Sequence, residues 1–200
     1  MARTPSTMLP LGTRAPAFRL PDFGVESPRE VALTDFEQPA LLVMFLSNHC
    51  PFVIHIRERL AELVRGWQAR GVGAVAIMSN DVARYPADHP DAMREDAARL
   101  GYTFPYLYDA SQQVALAYHA ACTPDFFLFD GERRLVYRGQ LDKSRPGNGI
   151  PVTGEDLERA IAALLSGEPP LPDQHPSLGC NIKWFEHNLV DHAPNYPPLS

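Results

Sequence analysis

The chain has 200 residues, of which 45% are hydrophobic and 21% are charged, and its formal net charge is −6. This balance predicts one globular domain with a sizeable core, and without a Lys/Arg-rich run it argues against a nucleic-acid partner. The longest apolar run is about eight residues, far short of the ~20 that span a bilayer, so we expect no membrane association. No secretory signal is visible either, so we expect a cytoplasmic protein.

In chain order, apolar runs alternate with turn residues in a way that is typical of an α/β protein. Predicted strands cover 18–24, 31–34, 41–46, 75–78, 104–108, 126–129 and 135–137. Predicted helices cover 53–67, 91–100, 111–121 and 153–165. The first two strands form an N-terminal hairpin, and an Asp-Gly turn joins the last two. Helices that alternate with buried strands, followed by an antiparallel hairpin, predict a mixed central sheet with helices on both faces.

The chain divides into three parts on this pattern. Residues 1–10 are expected to be an irregular lead-in, which continues without regular structure to residue 17, and residues 11–167 the domain. Residues 168–200 form a proline-rich tail with Cys180, Trp184, Phe185 and Tyr196. Solvated linkers are usually poor in aromatic residues, so we expect the tail to pack back on the domain.

Cys50 stands between the predicted strand 41–46 and the predicted helix 53–67, directly before Pro51. Proline is favoured in the first turn of a helix, where its missing N–H costs nothing. A cysteine at the N-terminus of a helix faces the first backbone N–H groups and the positive end of the helix dipole, which stabilise a thiolate. We therefore interpret Cys50 as a reactive nucleophile, and the alternative is a buried structural thiol.

The run from Phe45 to Val53 resembles the active site of the thioredoxin fold, in which a strand ends in Cys-Pro-x-Cys. Residues 12–18 and 20–22 are similar to the N-terminal extension of peroxiredoxins and thiol–disulfide oxidoreductases. Residues 135–142 and 176–184 resemble an uncharacterised peroxiredoxin-like group. The resemblance implies a three-layer α/β/α thioredoxin-like fold, and it covers roughly residues 10–185.

Two positions depart from the patterns of those families. Val53 stands where thioredoxin-like proteins have the second cysteine, and Val43 stands where peroxiredoxins have a proline. A thiol that resolves an oxidised Cys50 must therefore come from elsewhere in the chain or from an external reductant. Cys180, in the tail, and Cys122 are the two candidates, each with buried packing as its alternative.

The resemblance also implies where a substrate would bind. Thr123-Pro124 resembles the loop with a cis proline that packs against the active cysteine, and its backbone would pair with a bound substrate chain. Pro51 and Phe52 would complete the substrate contacts beside Cys50.

Two polar residues precede Cys50 and are candidates for assisting it. His49 could hold the thiolate as an imidazolium or supply a proton, and the alternative is an exposed loop histidine. Asn48 could donate a hydrogen bond to a developing anion.

These features favour a thiol-dependent oxidoreductase that attacks a peroxide or a substrate disulfide and is regenerated by a thiol reductant. This chemistry requires no bound cofactor, and we expect no metal, because the ligand spacings typical of zinc sites are missing. The alternative is a redox sensor or binding module that holds a partner on the same fold without turnover. The sequence indicates no oligomeric state.

Overall fold

The computed structural model describes residues 3–189. Its strands are β1 (Arg3–Pro5), β2 (Arg19–Asp22), β3 (Arg29–Ala32), β4 (Ala40–Phe45), β5 (Val72–Met78), β6 (Tyr106–Tyr108), β7 (Cys122–Thr123), β8 (Asp125–Asp130), β9 (Leu135–Gly139) and β10 (Leu178–Asn181). Its α-helices are α1 (Pro51–Gln68), α2 (Pro90–Leu100), α3 (Gln113–Ala117) and α4 (Glu155–Leu165). Seven strands form one sheet in the order β3-β2-β6-β5-β4-β8-β9, and three form a second in the order β1-β10-β7.

The two central strands, β4 and β5, are parallel and buried along their whole length. Alternate residues of β4 face opposite sides of the sheet. Ala40, Leu42 and Met44 join a core with side chains of α1, α2 and α4. The residues between them join a second core with side chains of α3 and the β2–β3 hairpin. The sheet therefore lies between two helical layers, as the sequence predicts.

Helix α1 begins at Pro51 and carries Cys50 as its N-cap residue. Its buried side chains recur at three- and four-residue spacing: Val53, Ile56, Leu60, Ala61, Val64 and Trp67. This amphipathic face packs on the sheet and fixes the position of the helix N-terminus at the carboxyl end of β4. Within residues 3–189, no helix has the length and apolar character needed to span a bilayer.

Two predicted elements differ from the structure. The helix predicted over 111–121 is only the five-residue α3, because the left-handed backbone of Gln112 (φ 64°) and His119 (φ 52°) confines it. The strand predicted over 75–78 begins earlier, at Val72, so that Gly73 lies inside β5. Its missing side chain leaves room for Gln38, whose Oε1 lies 2.8 Å from where a Cβ would stand.

The two ends of the described chain meet in the small sheet. The predicted irregular lead-in contains β1, which pairs antiparallel with β10 in the tail, with Arg3 opposite Cys180. Trp184 packs against the core beside α3. The tail thus returns to the domain, whereas Tyr196 lies outside the described residues, and the domain boundaries stay a prediction.

Candidate active site

Cys50 lies where β4 ends and α1 begins, and its side chain is completely buried, with 0% exposure. Its Sγ donates a hydrogen bond to the carbonyl oxygen of Thr123 at 3.1 Å. The sulfur accepts no capping hydrogen bond from the first turn of α1, although the residue occupies the N-cap position. The thiol is therefore shielded from solvent at a helix N-terminus, with its S–H directed at a backbone carbonyl oxygen.

Of the predicted substrate-binding residues, Thr123 contacts this thiol through its carbonyl oxygen. The Thr123–Pro124 peptide bond is cis, as the resemblance implies. Phe52 and Pro124 line a common cavity of about 20 Å³, which is room for roughly one water molecule. Pro51 forms the first residue of α1. Cys50 is not among the residues that line this cavity, so the cavity does not open onto the thiol.

Cys180 lies in strand β10, which pairs with the strand that carries Thr123. It lies directly opposite Thr123 in the β10–β7 pairing, and it is 2% exposed. Its thiol is within hydrogen-bonding reach of Cys50. Burial, and next the hydrogen bond and charge of Cys50, raise the pKa of Cys180 to about 12. Cys180 is therefore a neutral thiol at physiological pH, next to the predicted nucleophile.

Cys122 is also fully buried, one residue before Thr123, and its partner across the strand pair is Asn181. Its Sγ lies 3.7 Å from the carbonyl oxygen of Pro124. Burial, followed by the charges of Asp125 and Cys50, holds the pKa of Cys122 well above its usual value. The structure thus brings all three cysteines into one region, with Cys180 in hydrogen-bonding reach of Cys50.

Asp88 organises the loop that leads into Cys50, and the sequence analysis did not identify it. Its buried carboxylate accepts a backbone hydrogen bond from Asn48 (2.6 Å) and a side-chain hydrogen bond from Asn80 (2.6 Å), and it contacts His49 Nδ1 (2.8 Å). The Ser47 hydroxyl also donates to it, at 3.1 Å. Burial alone would raise the pKa of Asp88, but the hydrogen bonds of His49 and Asn80 and the charge of His49 lower it. A fixed anion therefore underlies this loop.

A signal for Asp88 existed in the sequence. The loop that carries it follows β5, and β4 and β5 are parallel neighbours. The carboxyl ends of neighbouring parallel strands meet at one edge of a sheet, so the loops after them are adjacent. An aspartate in the loop after the second strand was thus a candidate partner for Ser47-Asn48-His49.

His49 is oriented by these contacts and is 22% exposed at its side chain. Its ring stacks on Tyr85 with the ring centroids 5.4 Å apart, and Lys183 Nζ lies 5.5 Å from the Tyr85 centroid. Within residues 3–189, no hydrogen bond joins His49 to Cys50. The ring that the sequence assigns directly to the thiolate is therefore bound to Asp88 instead.

Asn48 is held from below by Tyr106, whose hydroxyl donates to Asn48 Oδ1 at 2.9 Å. Burial holds the pKa of Tyr106 well above its usual value, so this hydroxyl remains a donor. The Asn48 Nδ2 group is buried and makes no hydrogen bond in the described part of the chain. The Asn48 amide therefore has unused donor hydrogens, and its role toward an anion at Cys50 stays a prediction.

Asp125, directly after Pro124, is a second buried carboxylate with a different environment. Ser6 donates to its Oδ1 at 2.6 Å. Its Oδ2 is buried without a hydrogen-bond partner among residues 3–189. Burial raises the pKa of Asp125 to about 7, although Ser6 and backbone N–H groups oppose that shift. This carboxyl group changes charge near neutral pH, immediately beside the Thr123–Pro124 loop.

Comparisons with known proteins place the chain among thiol-active families. Residues 11–138 match the sequence profile of the AhpC/TSA family. The chain is 25% identical, over 163 residues, to thiol-disulfide oxidoreductase ResA of Geobacillus kaustophilus (strain HTA426), covering 80% of this chain and 82% of ResA.

Two solved structures are more similar. One is an uncharacterised conserved protein from Geobacillus kaustophilus, with 50% identity and a TM-score of 0.90 over 93% of this chain and 98% of that one. The other is a hypothetical protein from Sinorhizobium meliloti 1021, with 52% identity and a TM-score of 0.88 over 92% and 99%. With the mixed sheet and its helical layers, the comparisons confirm the predicted thioredoxin-like fold.

We predict that Asp88→Asn lowers the free energy of unfolding by about 2–4 kcal/mol, because a neutral amide cannot accept all the hydrogen bonds that converge on the carboxylate. Urea unfolding at pH 7 measures this loss. Ser47→Ala, which removes one donor and leaves the anion in place, should cost only about 1 kcal/mol. Equal losses in the two variants would contradict the role of Asp88.

The difference in the free energy of unfolding between the natural chain and Asp88→Asn should depend on pH. Because the pKa of Asp88 is lowered from 3.8, its contribution to stability is fully present above that pH and is lost as the pH falls through the folded-state pKa. The gap between the natural chain and Asp88→Asn should therefore shrink as the pH falls below about 4.

Asp125→Asn should have the opposite pH signature. A carboxyl group whose pKa is about 7 in the fold keeps a proton that the unfolded chain loses above about pH 4, so it lowers stability as the pH rises toward 7. Between pH 4 and pH 7, the free energy of unfolding of the variant should rise by a few kcal/mol relative to that of the natural chain, as measured by urea unfolding. Asp173→Asn, at an exposed position, should show no such gain, and a flat difference for Asp125→Asn would contradict the assignment.

Proposed function

Because the chain belongs to the AhpC/TSA family, we propose that it is a thiol-dependent oxidoreductase with Cys50 as nucleophile and Cys180 as resolving thiol. One observation carries the assignment: the Cys180 thiol, in the strand that pairs with Thr123, lies within hydrogen-bonding reach of Cys50. A second thiol next to a cysteine at a helix N-terminus supplies what Val53 does not. Cys122 is the less suitable partner because its thiol faces the Pro124 carbonyl group.

With a hydroperoxide, the Cys50 thiolate attacks the O–O bond and becomes a sulfenic acid, while the departing alkoxide takes a proton and leaves as the alcohol. The Cys180 thiol then attacks the sulfenic sulfur, so that a Cys50–Cys180 disulfide forms and water leaves. An external dithiol, or two molecules of a small thiol, reduces the disulfide and is itself oxidised.

With a small disulfide, the Cys50 thiolate attacks one sulfur and the other leaves as a thiolate, which gives a mixed disulfide on Cys50. Cys180 then attacks the Cys50 sulfur and releases the second half of the substrate as a thiol. Both routes end in the same Cys50–Cys180 disulfide, and neither requires a bound cofactor.

The groups around Cys50 support its role as a nucleophile, and its reactivity depends on the direction in which the thiol points. The buried Asn48 Nδ2 is a donor for the negative charge that develops on the leaving group. His49, fixed on Asp88, acts in this proposal by orienting the loop that carries Asn48. In this structure the Cys50 S–H faces the Thr123 carbonyl oxygen. Attack therefore requires the thiol to turn from that oxygen toward the substrate.

The three cysteines are present as thiols. Sparse thiols that are not in disulfides fit a reducing compartment, so we propose that the protein works in the cytoplasm.

A redox sensor without turnover is the second candidate, and the complete burial of Cys50 favours it. A sensor would be oxidised once and would stay oxidised until a partner protein acted on it. An enzyme consumes many equivalents of oxidant in the presence of a small-thiol reductant.

We predict that one equivalent of tert-butyl hydroperoxide removes two thiols from the natural chain and lowers its mass by about 2 Da, with Cys50 and Cys180 in one disulfide-linked peptide. Cys122→Ser should give the same disulfide. Cys180→Ser should stop at a Cys50 sulfenic acid, about 16 Da heavier, and Cys50→Ser should lose no thiols on the same time scale. Mass spectrometry after alkylation of the remaining thiols measures the outcome for the natural chain and the three variants.

Turnover separates the two candidates. With excess hydroperoxide and dithiothreitol, the enzyme consumes many equivalents, and Cys50→Ser is the background control. If the consumption of hydroperoxide ends at one equivalent, the enzyme is excluded and the redox sensor remains. A disulfide between Cys50 and Cys122 would remove Cys180 from the mechanism.

A further inference from the structure

We propose that β10 is a built-in substitute for a bound polypeptide, and that it restricts the Cys50 site to small oxidants. The proposal rests on the proposed function, because it names the class of substrate that the same site accepts. It assigns the exclusion of polypeptide disulfides to residues 178–181.

The backbone of β7 is an edge to which a polypeptide could add. In the described sheet this two-residue strand pairs only with β10. The pairing is antiparallel and places Cys180 opposite Thr123. An extended chain that added here by main-chain hydrogen bonds would occupy this same position and present its own side chain at the position of Cys180. The register thus sets a cysteine where a substrate cysteine would meet Cys50.

The fit between the two backbones leaves no room for a second chain. A Cβ atom on Gly179 would lie 2.0 Å from the Thr123 carbonyl oxygen and 2.6 Å from its carbonyl carbon. Glycine at this position lets β10 lie directly on the segment that carries the Cys50 hydrogen-bond acceptor. The requirement is steric, because the neighbouring group is backbone and cannot rotate away.

Contacts at both ends hold β10 in place. Before the strand, the backbone N–H of Ser177 donates to the Ser6 hydroxyl at 2.9 Å, and Ser6 in turn donates to Asp125. After the strand, Ile182 N–H donates to the Ala121 carbonyl oxygen at 3.1 Å. Strand β1 pairs with the outer edge of β10. The strand is therefore part of the folded domain and not an accidental contact of the tail.

These contacts make Cys50 less accessible to polypeptide substrates than to small oxidants. Cys50 is fully buried and Thr123 is 3% exposed, so a substrate reaches the thiol only after an opening of the cover. A small oxidant needs a local opening around Cys180. An extended polypeptide needs the β7 edge itself, so β10 must leave with the loss of the pairings on both of its edges.

The test compares two mixed disulfides that release the same chromophore, 2-nitro-5-thiobenzoate. One carries cysteine, and the other carries an unstructured peptide of about ten residues with a single cysteine. Chromophore release is followed in a background of Cys180→Ser and Cys122→Ser, so that it reports attack by Cys50 alone. Gly179→Ala is added to move β10 off Thr123. Gly66→Ala is the matched control, because a Cβ at Gly66 meets no atom within 4 Å.

With β10 in place, in the background and in Gly66→Ala, the small probe should react at least about 100-fold faster than the peptide probe, because the peptide must displace several backbone hydrogen bonds. In Gly179→Ala the ratio should fall by about tenfold or more. Equal rates with the two probes while β10 is in place, or an unchanged ratio in Gly179→Ala, would overturn the proposal. The comparison with β10 in place stands even if Gly179→Ala fails to fold.

Iodoacetamide labelling of Cys50 separates this proposal from the proposed function, because it requires no redox turnover. Faster labelling in Gly179→Ala than in Gly66→Ala, together with no hydroperoxide or disulfide turnover, would support the cover and reject the oxidoreductase. Turnover of small oxidants, together with equal rates for the small probe and the peptide probe, would support the oxidoreductase and reject the role of β10 as a cover.

Discussion

The architecture of the site depends on the approach of one backbone to another, that of β10 onto Thr123. This contact buries Cys50, brings Cys180 to it and ties the N-terminal strand β1 to the domain. It requires a glycine at 179, because any side chain there would overlap the Thr123 carbonyl group. A cysteine at a helix N-terminus is by itself only a reactive thiol. The addition of β10 gives it a second thiol and a cover at once.

The two buried carboxylates next to the site show how burial and hydrogen bonding compete. Asp88 and Asp125 are both inaccessible to solvent. Donors surround Asp88, so its pKa is lowered, whereas Asp125 has one oxygen without a partner and a raised pKa. Desolvation acts in the same direction on both groups, and both accept hydrogen bonds, but only Asp88 has in addition the charge of a neighbouring side chain, His49. Asp88 is therefore a permanent anion under the His49 loop, and Asp125 is a group that titrates near neutral pH.

The sequence predicts the central part of the fold well, because the signals there are local. The continuous apolar run of β4, the spacing of buried residues in α1 and the Asp-Gly turn after β8 each require only a few neighbouring residues. Helix α3 is overpredicted because the left-handed backbone at Gln112 and His119 has no strong local signal: neither residue is glycine or asparagine.

What the sequence does not predict depends on contacts between distant residues. Strand β1 has three residues and exists only because β10 lies beside it. The position of Cys180 relative to Cys50 depends on that same pairing, so the spacing of 130 residues between them carries no information about it. Asp88 belongs to the His49 loop through the adjacency of β4 and β5. In each case the missing information is a strand pairing.

If Cys180 resolves Cys50 as proposed, the redox state of the protein and its structure are linked. A second cysteine at position 53 would close a disulfide within the first turn of α1 and leave β10 unaffected. A Cys50–Cys180 disulfide instead joins α1 to β10 covalently and closes a loop of most of the domain, which strongly restricts the unfolded chain. In the reduced protein β10 is held only by hydrogen bonds and packing, so it can open for a substrate. With the proposed disulfide formed it would be fixed over Thr123, so the reductant would have to reach the disulfide from outside the strand.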